Sequence, residues 1–232
     1  MIRPDIALDW VAQGQALFEQ AVLELDDIGG PSRLPGWTRG HVITHVARNA
    51  EGLVRLLTWA RTGIETPMYP SMEARAADIE AGAARPLAEQ LDDVCRTAAA
   101  FAAAASQLSA QHWRTMVRTR HDAVPALVVP WARAREVWLH LVDLGTGIEI
   151  DVVPEDVATA LVRDVASWMD TRVSHRIEVQ VSGEEPAVFG PETGSPMPVS
   201  GSVQELAGWL TGRSSGNQLI APEGLPELPS WL

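Results

Sequence analysis

The sequence predicts an α+β chain, with an N-terminal four-helix bundle over residues 1–148 and a small C-terminal α+β domain over 149–232. Three observations predict it. Apolar residues recur at helical spacing through the long stretches of the first half. Near Asp151 the texture changes, and strict apolar–polar alternation appears in RIEVQV, residues 176–181. With 232 residues and 46% hydrophobic side chains, the chain is long enough for one large domain or two modest ones.

The first helix is expected over residues 5–27, where Ala7, Val11, Gly14, Phe18, Ala21 and Leu25 share a face, and Gly29, Gly30 and Pro31 end it. Thr38 is the N-cap of a second helix running to about Arg61, with Val42, Val46, Leu53, Leu56 and Leu57 as its stripe. After a loop with Pro67 and Pro70, Ser71 caps a third helix. Its clearest stripe is Leu87, Leu91, Val94, Ala98, Phe101, Ala105 and Leu108; Pro86 marks a restart or kink. A loop through residues 111–125 leads to a fourth helix, about 127–144, stopped by Gly145 and Gly147. Bundles of this kind commonly hold metal sites in their cores. In the second domain, Pro154 opens a helix with Glu155 and Asp156 in its first turn. Strands follow at 176–181 and 187–189, and the Ser202–Glu205 capping box opens a last helix to about Leu210.

Composition excludes several function classes. The net charge of -12 repels phosphate backbones, which argues against nucleic-acid binding. All 18 cations are Arg. One cysteine, Cys95, cannot make an intramolecular disulfide, and it reads as a small buried hydrophobe beside Val94. No run is apolar enough for a membrane span, and MIRPDIALDW has no signal-peptide core, so a soluble cytoplasmic protein without an evident protein partner is expected.

The chemistry concentrates on two helices. Glu136 and His140 are four apart and share one helix face, so they can grip one ion. His45, on the second helix, can supply a third ligand across a bundle interface. Two imidazoles and a carboxylate leave a fourth tetrahedral position open, as catalytic zinc sites do. His41 is four residues before His45 and makes a rival pair. Asp143, three residues past His140, either orients that imidazole or lies exposed near the helix end. An apolar setting for Glu136 and His140 favours the metal, since a buried carboxylate needs a cation.

Four stretches carry a family resemblance: LPGWTRGHVITHVARNAEG (34–52), TGIETPMYPSMEARAADIEAG (62–82), REVWLHLVDLG (135–145) and VSGSVQELAGWLTGR (199–213). With the PELPSWL tail they make the chain resemble the mycothiol-dependent maleylpyruvate isomerases, of the DinB-like metal-binding bundle superfamily. The resemblance implies a DinB-like bundle, a sterol-carrier-like C-terminal α/β domain, and zinc on His45, Glu136 and His140. Arg213 would bind a substrate carboxylate, and Arg75 would line the same cleft. Without the resemblance, Arg213 fits a cation at a helix C-terminus. Of the tryptophans, Trp37, Trp59, Trp138 and Trp168 are expected to pack the core or the domain interface, and Trp131 or Trp209 to line a pocket.

The implied reaction is isomerisation of maleylpyruvate to fumarylpyruvate in gentisate-type aromatic degradation. A thiolate adds to the conjugated alkene, the resulting single bond rotates, and the thiol leaves. A metal-bound thiol is deprotonated outright, which is the role of zinc. Since Cys95 is not placed for this, the thiol comes from outside, and the resemblance implies that it is mycothiol. Two other functions fit the same ligands: a zinc-dependent mycothiol S-transferase that keeps the thioether, and a non-catalytic metal-binding regulator.

Overall fold

The computed structural model describes residues 2–119, 122–181 and 183–231. The chain divides into two compact units, Met1–Gly147 and Ile148–Leu232.

In the first unit, α1 (Pro4–Leu23), α2 (Arg39–Thr62), α4 (Leu87–Ser106) and α5 (Val129–Asp143) form a bundle. Its neighbours run α1–α5–α2–α4 and back to α1. The expected stripe of α1 is buried throughout, from Ala7 and Phe18 to Leu25 just past its end. The same holds for Val42, Val46, Leu53, Leu56 and Leu57 of α2. Gly63 closes α2 in the left-handed conformation, with φ of 73°, where a side chain would be strained.

The expected third helix is two helices. A short α3 (Met72–Ala83), capped by Ser71, packs on α2, and α4 restarts after Pro86. The α2–α3 approach is very close. A Cβ on Gly82 would fall 2.4 Å from Thr44 Cγ2, and one on Gly40 would fall 2.1 Å from the Ala83 carbonyl oxygen. Both glycines therefore hold α3 beside the segment that carries His45. The expected loop 111–125 contains a small antiparallel hairpin, β1 (Met116–Arg118) with β2 (Ala123–Pro125); residues 120 and 121 lie outside the described residues.

Two polar networks tie the bundle. Asp93 on α4 accepts from Arg48, Arg85 and Arg96, and these cations hold its carboxyl below the usual range although its burial opposes this. Arg133 on α5 is fully buried and donates to Gln15 Oε1 on α1 at 2.9 Å, and to the Val46 carbonyl at 2.7 Å and Asn49 Oδ1 at 3.0 Å on α2. Burial pushes its pKa down to about 10, while Glu136, one helical turn on, pulls it upward.

The second unit holds α6 (Glu155–Met169), α7 (Val203–Thr211) and a three-stranded sheet of order β4-β3-β5. Central β3 (Ile177–Gln180) pairs antiparallel with β4 (Ala187–Phe189) and parallel with β5 (Met197–Ser200). The sequence did not announce β5, whose Pro198 is tolerated because the strand lies on an edge of the sheet. Ser202 caps α7 by accepting from Glu205 N, while the Glu205 carboxylate accepts from Ser214 Oγ.

Candidate metal centre

The centre is built where α2, α3 and α5 meet. Thr38 starts α2, and its partner in the capping box is His41: His41 Nδ1 accepts from Thr38 N at 3.1 Å, and His41 N donates to Thr38 Oγ1. Its other nitrogen lies 3.2 Å from Glu80 Oε2. His41 is thereby engaged at the helix start and lies outside the cluster of His45, Glu136 and His140.

One turn on, His45 is buried, and its Nε2 lies 2.9 Å from Glu136 Oε2. His140 Nε2 lies 3.2 Å from the same oxygen. The two imidazole rings meet edge to face, 4.7 Å apart at 86°. One donor atom from each of His45, Glu136 and His140 falls within 4.8 Å of the others. The side chains of Glu136 and His140 are 25% and 13% exposed, so one flank of the cluster meets solvent.

Each imidazole has a partner behind it. His140 Nδ1 lies 2.9 Å from Asp143 Oδ2, and Asp143 is buried. Asp143 is therefore the orienting residue, not an exposed one near the helix end. His45 Nδ1 lies 3.0 Å from Arg75 Nη2 on α3. A guanidinium only donates, so Nδ1 accepts and the His45 proton sits on Nε2, directed at Glu136. Trp37 leans on both His41 and His45, with ring centroids 6.1 and 5.5 Å away.

The electrostatics agree with this arrangement. Burial pushes His45 down to about 4, against the pull of Glu136, so it is neutral near pH 7. Burial also opposes charge on His140, but Asp143 and Glu136 outweigh it and hold its pKa above the ordinary value. Burial opposes the Glu136 carboxylate too; the bonds from His140 and His45 overcome this and keep it ionised.

The donor set suits zinc: two imidazole nitrogens and a carboxylate oxygen, gathered in one cluster. Both Nε2 atoms face the same Glu136 oxygen. The carboxylate–histidine pair of Asp143 and His140 is the usual backing of a metal-bound imidazole.

The family model for the mycothiol maleylpyruvate isomerase N-terminal domain matches residues 11–145, a span that includes His45, Arg75, Glu136, His140 and Asp143. The chain belongs to the mycothiol maleylpyruvate isomerase family. The family likeness extends over both units. A crystal structure of a mycothiol-dependent maleylpyruvate isomerase is similar at a TM-score of 0.91 and 29% identity, covering 99% of this chain and 98% of that one. A histidine-to-alanine mutant of a mycothiol-dependent maleylpyruvate isomerase matches at a TM-score of 0.90, with the same identity and coverage. No curated protein sequence matches the chain significantly.

Several expectations about family residues change. Cys95 is exposed, not buried: α4 turns it away from the face that carries Val94. Partial burial and the carboxylate of Glu19 raise its thiol pKa, so it is a poor source of thiolate. Trp131 is buried and packs edge-on against Trp10 at 5.7 Å, inside the α1–α5 contact. Trp138 is buried as expected and donates to the Trp10 carbonyl. Trp37 stands beside the histidines and is only half-buried. Arg133 was not singled out from the sequence; a charged residue on the inner face of an apolar helix was the available signal. Arg213 belongs to the second unit. It follows Gly212, the left-handed C-cap of α7, and its guanidinium donates to the Thr211 carbonyl at 2.7 Å. No helix among the described residues is long and apolar enough to cross a membrane.

Proposed function

We propose that the chain is a maleylpyruvate isomerase, converting the cis-enoic diketo acid to fumarylpyruvate with mycothiol as thiol cofactor and zinc held by His45, Glu136 and His140. The observation that carries this reading is the three-donor cluster, with one flank at solvent and no cysteine of its own. Family membership and the likeness to mycothiol-dependent isomerases support it.

Bound zinc would supply a Lewis acid that keeps an added thiol as thiolate at neutral pH. The chain's own residues prepare that position. Asp143 orients His140 and supports its basicity. Neutral His45 has no charge to shed before it binds an ion. Glu136, already ionised, offsets part of the metal's charge. Mycothiol, when bound, would supply a thiolate for reversible addition to the conjugated alkene, which makes the double bond a rotatable single bond and returns the thiolate on elimination. Arg213 and Arg75 are assigned to the substrate carboxylates, which a guanidinium fork matches.

The test is conversion of maleylpyruvate by purified protein with zinc and mycothiol, each omitted in turn. Turnover is expected only with both, with the thiol recovered unchanged. Turnover without thiol removes the mechanism, and accumulation of a stable thioether makes the protein an S-transferase. His45→Ala should lose the zinc, and Arg213→Ala should lose turnover while keeping it.

A further inference from the structure

The contact between Arg75 and His45 has the wrong polarity for a metal-loaded site. Arg75 Nη2 donates to His45 Nδ1 at 3.0 Å, which fixes the imidazole proton on Nε2, 2.9 Å from Glu136. That nitrogen is the one that faces Glu136 and His140. An ion bound there takes the Nε2 lone pair, and a neutral imidazole must then carry its proton on Nδ1. An Nδ1–H pointing at a guanidinium N–H sets donor against donor. The two arrangements exclude one another.

A second observation concerns Arg75 itself. Its Nε is buried and has no hydrogen-bond partner among the described residues. A buried unmatched donor on a charged group is costly and is relieved by any acceptor that reaches it. The Tyr69 ring lies 5.6 Å from its guanidinium carbon, so the head has an aromatic face beside it when it leaves His45.

We propose that Arg75 and the metal ion compete for His45, so that metal loading releases the Arg75 guanidinium as an anion-binding group at the mouth of the site. The inference rests on the metal assignment above and deepens it: carboxylate binding through Arg75 becomes available only once the ion is in place. An order of assembly follows, metal first and anionic substrate second.

Long-range proton–nitrogen spectra of protein labelled on its histidines read the His45 tautomer directly. The metal-free protein should show His45 protonated on Nε2, and zinc titration should move the proton to Nδ1. Arg75→Met should bind zinc at least as tightly as wild type, because the competitor is gone; weaker binding would overturn the competition. Maleate serves as the anion probe. It should bind the zinc-loaded protein about tenfold more tightly than the metal-free protein, the scale of one charged hydrogen bond. Most of that gain should vanish in Arg75→Met, and equal maleate affinity in both loaded proteins would remove the anion-binding role. Zinc that never reaches His45 overturns the metal assignment and this inference with it. Zinc bound while Nδ1 stays unprotonated overturns the release alone.

Discussion

His140 Nδ1 lies 2.9 Å from the carboxylate of Asp143, one turn further along the same helix, and Asp143 is almost fully buried. That single contact decides which nitrogen of His140 faces Glu136. Asp143→Ala should weaken zinc binding by about 10–100-fold, the usual cost of losing a carboxylate behind a metal-bound imidazole. Chelator competition measures this. An unchanged affinity would leave Asp143 without a role at the site.

Zinc binding should depend on pH in one direction. His45, with its pKa pushed down to about 4, needs no deprotonation across the neutral range. His140, raised above the ordinary 6.5, must shed a proton first. Apparent affinity should therefore rise with pH by about tenfold per unit and level off above the His140 pKa, for release of one proton. Levelling well below pH 6.5 would contradict the raised value.

Asp93 joins three arginines at the α2–α4 contact, and its removal strands them. Asp93→Asn should lower stability at pH 7 by about 2 kcal/mol, less than for a fully buried pair because its partners reach solvent. The sign follows from its lowered pKa. The contribution is present above the ordinary carboxylate value of 3.8 and is lost as pH falls through the lower folded-state value. Urea melts of the two proteins should therefore converge only at strongly acidic pH.

Arg133 binds acceptors on α1 and α2, and one of them is the carbonyl of Val46, the neighbour of His45. Arg133→Met leaves those buried acceptors unmet and should cost about 3 kcal/mol of stability. It should also weaken zinc binding, because the α2–α5 register sets the His45–Glu136 distance. A variant that is destabilised yet binds zinc normally would confine Arg133 to the fold.

Cys95 is exposed, with a raised thiol pKa. Cys95→Ser should leave zinc content and thiol-dependent turnover unchanged. Loss of turnover would point to an internal thiol and remove the need for an external one.

Much of the bundle was legible because its helices carry strong local signals. Thr38, Ser71 and Ser202 cap the helices expected of them, and the stripes of α1 and α2 are buried. The short strands β1, β2 and β5 were not legible. Their segments lack the apolar–polar alternation that marks residues 176–181, and Pro198 argues against a strand unless it lies on an edge. Cys95 adjoins the buried Val94 in sequence, but one residue along a helix turns the side chain by about 100°, which takes Cys95 off the buried face of α4.

The sequence by itself determined the chemistry on offer: an i,i+4 Glu136–His140 pair, a distant His45, a single cysteine, and the motifs of the family. Local spacing and residue type suffice for that, since they depend only on helical periodicity. Tertiary structure decided which histidine joins the pair. His41 and His45 are equivalent by spacing, but the capping box takes His41, and the α2–α5 packing brings His45 to 2.9 Å from Glu136. Tertiary structure also decided the partners of the imidazoles. Arg75 reaches His45 because two glycines let α3 lie almost against the α2 backbone, a long-range contact that helical periodicity cannot express.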